Sequence, residues 1–404
     1  MNTTQSVLNI GTLGHIDHGK TSLTRAITGV WTDKHSESLK RNMTIKLGYA
    51  DAIIRKCPQC TGTDAYTTAK TCTIHDVPTD ELMHISMLDA PGHETLMATA
   101  IAGSSVIDGI LFVIAANEPC PMQQTREHLM IIEILGVKNV VIVQSKIDIV
   151  GREAAEAHYK QIKEFIKNSP IRDAPIIPVM TNQNINVDAV LERIAGMQIP
   201  KRDLEAQPLM YVVRSFDVNR PNIDASGLVG GVIGGAIIQG RFRVGDEIEI
   251  RPGIKIGDRS KKDTYTPIVT VITSMSNGSN ALTEAIPGGL IGVSTEIDPA
   301  FAKADGLMGN VVGHVGKLPE TRSDITMTYV KLDRKDIPEQ GLREGEPLIL
   351  GVATATTVGA VRRVRKSALE IELKRPVCAL KGAKVAVMRN ISQRWRLTGY
   401  GILQ

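Results

Sequence analysis

The sequence predicts an α/β domain with a doubly wound, mainly parallel sheet, followed by two β-barrel domains. Three observations carry that expectation. Short apolar runs alternate with helix-period segments through the first half of the chain. After about Ala206 glycine becomes dense and apolar residues recur at every second position. A glycine-framed motif, Gly14-His15-Ile16-Asp17-His18-Gly19-Lys20-Thr21, stands between the first apolar run and the helix-compatible stretch 22–28. At 404 residues the chain exceeds one ordinary core, and three domains are expected at 1–205, 206–320 and 321–404. The cut near Pro319-Glu320-Thr321 is the harder one to place, because the two barrels share one composition and no linker separates them.

In chain order the strand-like runs are 7–13, 84–88, 109–115, 139–143 and 175–179, with helical periodicity at 123–135 and 152–167 between them. Ligands of such sheets bind at the carboxyl ends of the strands. In the second half, the run Gly230-Gly231-Val232-Ile233-Gly234-Gly235 and alternating segments such as 246–250 and 368–373 read as barrel strands. No apolar run approaches the roughly 18 residues of a membrane span. The first residues lack a basic segment followed by an apolar core, so a cytoplasmic setting is expected. Five cysteines in this length do not form a disulfide framework, and clustered cysteines in a reducing compartment point to metal. A net charge of +4 with a pI near 8.7 permits a polyanionic partner such as RNA without requiring one.

Each residue type in the motif has a chemical reason. Gly14 and Gly19 let the backbone fold back so that successive N–H groups form an anion nest at a helix N-terminus, with His18 and Ser22 in the same turn. Lys20 supplies a point charge to β- and γ-phosphates, and the Thr21 hydroxyl binds magnesium. A second acidic group on the magnesium side is expected at a strand end, and Asp89-Ala90-Pro91-Gly92 follows the run ending at Leu88. Asp89 would hold the metal through water, and the Gly92 N–H would sense the γ-phosphate. His93 then either orients the attacking water or caps a helix at the surface.

Base choice is read from Gln144-Ser145-Lys146-Ile147-Asp148, just past a strand. A carboxylate there accepts two hydrogen bonds from guanine's N1–H and exocyclic amine, a pair that adenine does not offer. A lysine two residues from a carboxylate is common on solvated loops, so the inference rests on its position relative to Lys20 and Asp89. Cys57-Pro58-Gln59-Cys60 and Cys72-Thr73-Ile74-His75 are CxxC and CxxH pairs, able to give zinc three thiolates and an imidazole in a closed, structural site. The alternative is a loop with His75 in solvent. Cys120 and Cys378 stand alone as small hydrophobes.

Taken in order, GHIDHGKT, DAPGH and SKID resemble the translational GTPases. The run from Leu39 to Ala50, the stretch from Arg214 to Pro221, the glycines from 230 to 235 and the terminal RWRLTGYG at 394–401 resemble, more narrowly, the gamma subunit of eukaryotic and archaeal translation initiation factor 2. The likeness spans nearly the whole chain. It implies GTP/GDP and Mg2+ as ligands, slow GTP hydrolysis stimulated by the ribosome or an activating protein, and carriage of methionyl initiator tRNA to the small ribosomal subunit. It also implies alpha and beta subunits as partners, GTPase-activating and exchange proteins, and no membrane. By the same resemblance Thr44 is the switch threonine that closes on magnesium, and His93 positions water behind a gate of Ile16 and Met43. Asp17 sits where an additional cation binds near the phosphates. Tyr49 matches an aromatic position near the tRNA acceptor end, where it either stacks on a base or is buried in the domain. The family's zinc knuckle, usually of four cysteines, falls near 57–75 with His75 in the fourth place.

Two departures fall on base recognition. The family's asparagine before the lysine is Ser145, which removes an amide that ties the base loop to the phosphate loop. The fifth motif, usually a Ser-Ala pair, is Met180-Thr181-Asn182, where guanine is met mainly by backbone N–H groups. Guanine preference with weakened affinity is therefore expected. A competing reading is a nucleotide-responsive tRNA and protein scaffold with negligible hydrolysis of its own, since no evident arginine finger lies in cis and Arg41 is a candidate by proximity alone. A special elongator-tRNA carrier is disfavoured by the full-length resemblance.

Overall fold

The computed structural model describes residues 5–32, 48–90, 106–219, 224, 227–256, 264–278, 280–332, 334, 340–365 and 368–404. These fall into two compact units, one ending at Pro200 and one running on from Lys201.

In the first unit the strands are β1 (Leu8–Leu13), β2 (Gly48–Lys56), β3 (Tyr66–Thr67), β4 (Asp80–Asp89), β5 (Gly109–Ala115), β6 (Asn139–Ser145) and β7 (Ile176–Pro178). They form one sheet in the order β3-β2-β4-β1-β5-β6-β7. β4, β1, β5, β6 and β7 run parallel, while β2 lies antiparallel to β4 and β3 to β2. Every residue of β1 and β5 is buried, as in strands covered on both faces, although β1 carries Asn9 and Thr12 among its apolar residues. The helices are α1 (Lys20–Thr28), α2 (Gln123–Leu135), α3 (Arg152–Ile166) and α4 (Val187–Ala195). α1 buries Leu23 and Ile27, and α4 buries Val187, Val190, Leu191 and Ile194, so both lay an i, i+3/i+4 stripe on the sheet. α1 stops at Gly29, whose left-handed backbone (φ 73°) lets its N–H reach the Arg25 carbonyl. The core runs from Leu8 and Ile10 through Leu111, Val113 and Val143 to Leu191 and Ile194.

After β1 the chain builds β2 to β4 on one side and then β5 to β7 on the other. The carboxyl end of β1 is thus the topological switch point, where such sheets bind ligand.

The second unit holds two barrels. In the first, β8 (Leu209–Phe216), β9 (Val232–Gln239), β11 (Glu247–Ile256), β12 (Thr264–Asn277), β15 (Ile291–Thr295) and β16 (Val311–His314) follow the order β11-β16-β8-β9-β15-β12, and the β11–β12 pairing closes the ring. Short β10 (Phe242–Arg243), β13 (Asn280–Leu282) and β14 (Glu284–Ala285) flank it. The glycine run sits here because the strands crowd: a Cβ on Gly235 would stand 2.0 Å from the Tyr211 carbonyl oxygen. The second barrel is β17 (Thr321–Lys331), β20 (Leu369–Cys378), β19 (Ala355–Val364), β18 (Pro347–Val352), β21 (Lys384–Ile391) and β22 (Arg394–Leu403), closed by β22 pairing with β17. Each barrel has its own apolar core, and period-two alternation is plainest in β19.

Candidate functional site

The phosphate-binding motif leaves the carboxyl end of β1 and enters α1. Gly14 has φ 149° and its missing Cβ would lie 2.2 Å from the Val113 carbonyl oxygen, so any side chain there collides with β5. Asp17 and Gly19 also take positive φ, at 58° and 90°, which turns the loop inward before the helix starts. Asp17 itself is exposed. Lys20 is buried, and its Nζ donates to the His15 carbonyl at 2.6 Å. Burial pushes its ammonium down to about 8, against the attraction of Asp89 and Asp17. His18 is buried beneath the loop, with Nδ1 3.2 Å from the Val113 carbonyl and Nε2 3.1 Å from the Glu118 carboxylate. Burial outweighs Glu118 and lowers its pKa to about 4, which leaves it neutral.

Asp89 ends β4 with no exposure at all. Three hydroxyls donate to its carboxylate: Thr21 to Oδ2 at 2.6 Å, Thr32 to Oδ2 at 2.9 Å and Thr12 to Oδ1 at 3.0 Å. Burial raises its pKa, while Thr21, Lys20, Thr32 and Thr12 pull the other way.

At the base end, Ser145 closes β6 and is 2% exposed. Its hydroxyl donates to the His18 carbonyl at 2.6 Å. The expected loss of a tie between base loop and phosphate loop is thus corrected: a shorter side chain makes the tie because β6 brings the two loops close. Lys146 follows with a left-handed backbone (φ 57°) and Asp148 is exposed. Met180 pairs its N–H with the Ile185 carbonyl at 3.2 Å. Thr181 and Asn182 open the 3-10 turn Thr181–Gln183, and as its first residues they have no carbonyl within the turn for their N–H groups. Tyr49 lies on β2, half-buried, its hydroxyl donating to Asp51 at 2.5 Å.

The cysteine cluster is an insertion between β2 and β4. Cys57 and Cys72 are buried, Cys60 is half-buried and His75 is exposed. Their donor atoms all lie within 4.8 Å of one another. Cys60 Sγ is 3.6 Å from Cys72 Sγ and 3.3 Å from His75 Nδ1, and His75 Nδ1 is 3.8 Å from both Cys57 Sγ and Cys72 Sγ. A tetrahedron with zinc–sulfur bonds of about 2.3 Å has edges of about 3.8 Å, so the four donors fit a structural zinc ion, with His75 ligating through Nδ1. Donation from the backbone N–H of His75, opposed by burial and reinforced by that of Ile74, holds the Cys72 thiol down at about 6, whereas burial and the neighbouring thiols push Cys60 up to about 12, so a metal binding there would displace the Cys60 proton.

Comparison with known proteins agrees with this geometry. The family model for the elongation factor Tu GTP binding domain matches residues 5–200, that for elongation factor Tu domain 2 matches 230–300, and that for the initiation factor eIF2 gamma C-terminal region matches 324–403. The chain is 51% identical to the translation initiation factor 2 subunit gamma of Methanocaldococcus jannaschii, covering 99% of this chain and 98% of that one. It is 48% identical to the protein of the same name from Archaeoglobus fulgidus, covering 98% and 94%. The chain belongs to the translation initiation factor 2 gamma-subunit family. Two solved structures share the fold at lower identity. A bacterial selenocysteine-specific elongation factor EF-Sec has a TM-score of 0.74 at 22% identity, covering 99% of this chain and 58% of that one. Elongation factor SelB of Methanococcus maripaludis, in complex with the GTP analogue GPPNHP, has a TM-score of 0.73 at 20%, covering 100% and 80%.

As a gamma-family member the chain is a translational GTPase, a GTP-binding subunit of a multi-subunit initiation factor, with GTP or GDP and magnesium as its ligands. The residues present fit them: a loop that admits no Cβ at Gly14, a buried lysine, and a threonine hydroxyl against a buried carboxylate. Arg41, Met43, Thr44, Gly92 and His93 lie outside the described residues. Among the described residues no helix is long and apolar enough to cross a membrane. Sequence reasoning missed Thr12 and Thr32, whose signal was faint: one of two polar residues in a mainly apolar strand, and a threonine three residues past a helix-ending glycine. It also missed Gln124, whose side chain accepts from the Ile16 N–H at 3.5 Å, and His128, which is fully buried on α2.

Proposed function

We propose that this chain binds methionyl initiator tRNA in its GTP state, delivers it to the small ribosomal subunit and releases it after hydrolysis, in the cytoplasm and in complex with alpha and beta subunits. The observation that carries the reading is the 2.6 Å contact from Thr21 to Asp89 beside buried Lys20. It ties the phosphate loop to the residue from which Gly92 and His93 follow within four positions.

On this reading the N–H groups from Gly14 to Ser22, with His18 fixing the loop from below, and the Lys20 ammonium hold the β- and γ-phosphates. Thr21 ligates magnesium directly and Asp89 does so through water. Asp17 would hold a second cation, and Thr44 would join the metal when GTP is bound. Magnesium bound there neutralises charge developing on the phosphate oxygens. His93 holds the attacking water in line, Ile16 and Met43 gate it, and Gly92 senses the γ-phosphate. Asp148 accepts from guanine's N1–H and amine, Lys146 lies along the base, Ser145 locks that loop to the phosphate loop, and Met180, Thr181 and Asn182 complete the base pocket. Cys57, Cys60, Cys72 and His75 hold zinc for structure, since four protein ligands leave no open position. Tyr49 lies toward the tRNA acceptor end, its hydroxyl bonded to Asp51.

Filter binding of charged initiator tRNA, compared in GTP and in GDP and against an elongator tRNA, tests the proposal. Retention is expected for the initiator in GTP alone. Equal retention in both nucleotides, or of the elongator, would refute it. Single-turnover hydrolysis with and without ribosomes decides between a switch and a scaffold.

A further inference from the structure

Thr32 stands three residues beyond Gly29, the glycine that ends α1, and immediately before the segment that carries Arg41 and Thr44. Its side chain turns back to Asp89 and donates to Oδ2 at 2.9 Å. A second observation shows that the approach is built in. Gly48, first residue of β2, is the register partner of Asp89, and a Cβ there would stand 2.7 Å from Thr32 Cβ and 3.2 Å from Asp89 Cβ. The glycine is the slot through which Thr32 reaches the carboxylate.

The consequence follows from counting lone pairs. A carboxylate oxygen accepts about two hydrogen bonds, and Oδ2 of Asp89 already takes Thr21 and Thr32. Thr21 meets Asp89 at Oδ2, so magnesium held by the Thr21 oxygen would bring a bound water to that same oxygen. Thr21 keeps its contact, because a hydroxyl ligates through a lone pair and donates its proton at once. The donor that must give way is Thr32.

We propose that Thr32 is a positioning residue that competes with magnesium's water for Asp89, so that metal binding frees Thr32 from the carboxylate. The inference rests on the proposed metal-side role of Asp89. Trp31 offers a local reporter: it is 41% exposed, its ring lies 5.8 Å from the Arg25 guanidinium, and Trp395 is the chain's only other tryptophan.

The test is a magnesium titration of the GDP-loaded full-length chain carrying Trp395→Phe, read by Trp31 fluorescence and by the magnesium midpoint. The parent is expected to shift its Trp31 emission as magnesium binds. Thr32→Val should lose most of that shift and tighten the midpoint roughly tenfold, the worth of one hydrogen bond to a charged acceptor. Thr32→Ser, which keeps the hydroxyl, should match the parent. A Thr32→Val midpoint that is unchanged or weaker, or a full emission shift in that variant, would overturn the inference. Asp89→Asn separates the two ideas: if it keeps the parent's midpoint, the metal-side role of Asp89 fails, whereas a lost response in Asp89→Asn with an unaltered Thr32→Val condemns the Thr32 competition alone.

Discussion

Ser145 concentrates the residue-scale argument. Its hydroxyl satisfies the His18 carbonyl in a spot from which water is excluded, so Ser145→Ala strands a buried acceptor at a cost of about 1–3 kcal/mol. Because that bond joins the base loop to the phosphate loop, part of the cost should appear as weaker GDP binding, roughly tenfold by titration calorimetry; an unchanged affinity would show that the tie is not used. Lys20 gives a pH dependence of definite sign. With its pKa near 8 before nucleotide binds, it is largely neutral above that pH, and phosphates beside it favour the charged form. Binding then takes up a proton. GDP affinity should hold steady below about pH 7 and fall as pH rises past 8, approaching tenfold per unit. A flat profile from about pH 7 to 9.5 would remove Lys20 from that role.

At the scale of elements, what was legible was what burial on both faces enforces. β5 read as an unbroken apolar run and β1 as a mainly apolar one, α2 was placed at its observed limits, and the glycines of the phosphate loop announced a turn no other residue makes. β2 was less legible. It faces the core with Ala50, Ala52 and Ile54, and two alanines make a weak apolar signal between Tyr49, Asp51 and Ile53. The hydroxyls around Asp89 were not legible at all, since they come from β1, α1 and the residues after α1, and only folding brings them together. Cysteine spacing named the knuckle's donors, but the choice of His75 Nδ1 needed coordinates. Beyond short elements such as Gly62–Ala65 and β3 and backbone bonds such as Cys57 N–H to the Ala65 carbonyl and Thr79 N–H to the Lys70 carbonyl, what would close the insertion is a metal on its four donors, which would add to its rigidity. Stripping zinc with a chelator, or Cys57→Ser, should raise amide exchange across 57–79 by tenfold or more and leave GDP affinity within about twofold. Zinc-free protein with unchanged exchange in the Cys57→Ser variant would contradict a structural site.

The whole molecule is two units with separate cores, and its ligands and buried histidines are divided unequally between them. Lys20, Thr21, Asp89 and Ser145 all lie in the first unit, as do the histidines held below their ordinary pKa by burial: His18 at about 4, His128 at about 3 and His158 in the same direction. An unfolded histidine takes up a proton near 6.5, whereas these stay neutral when folded. At these three sites the unfolded chain therefore binds more protons, and the stability they contribute is lost as pH falls from about 6.5 toward 4, opposed by Asp51, Asp89 and Glu133, whose carboxyls burial raises. His314 of the second unit is partly exposed, its Nε2 3.3 Å from the Asp246 carboxylate. Calorimetry should therefore resolve two transitions that respond differently. GDP with magnesium at about a hundred times its dissociation constant adds roughly 2.7 kcal/mol to the first unit, raising its Tm by roughly 5 to 10 °C. Lowering the pH from about 7 to 5 withdraws the histidines' contribution to that transition, so His128→Leu should be less destabilised by acid than the parent by up to about 2 kcal/mol, one proton over the part of the range below 6.5. Neither change should move the transition of the barrels by a comparable amount. One cooperative transition that shifts as a whole with GDP would mean that the two units unfold together.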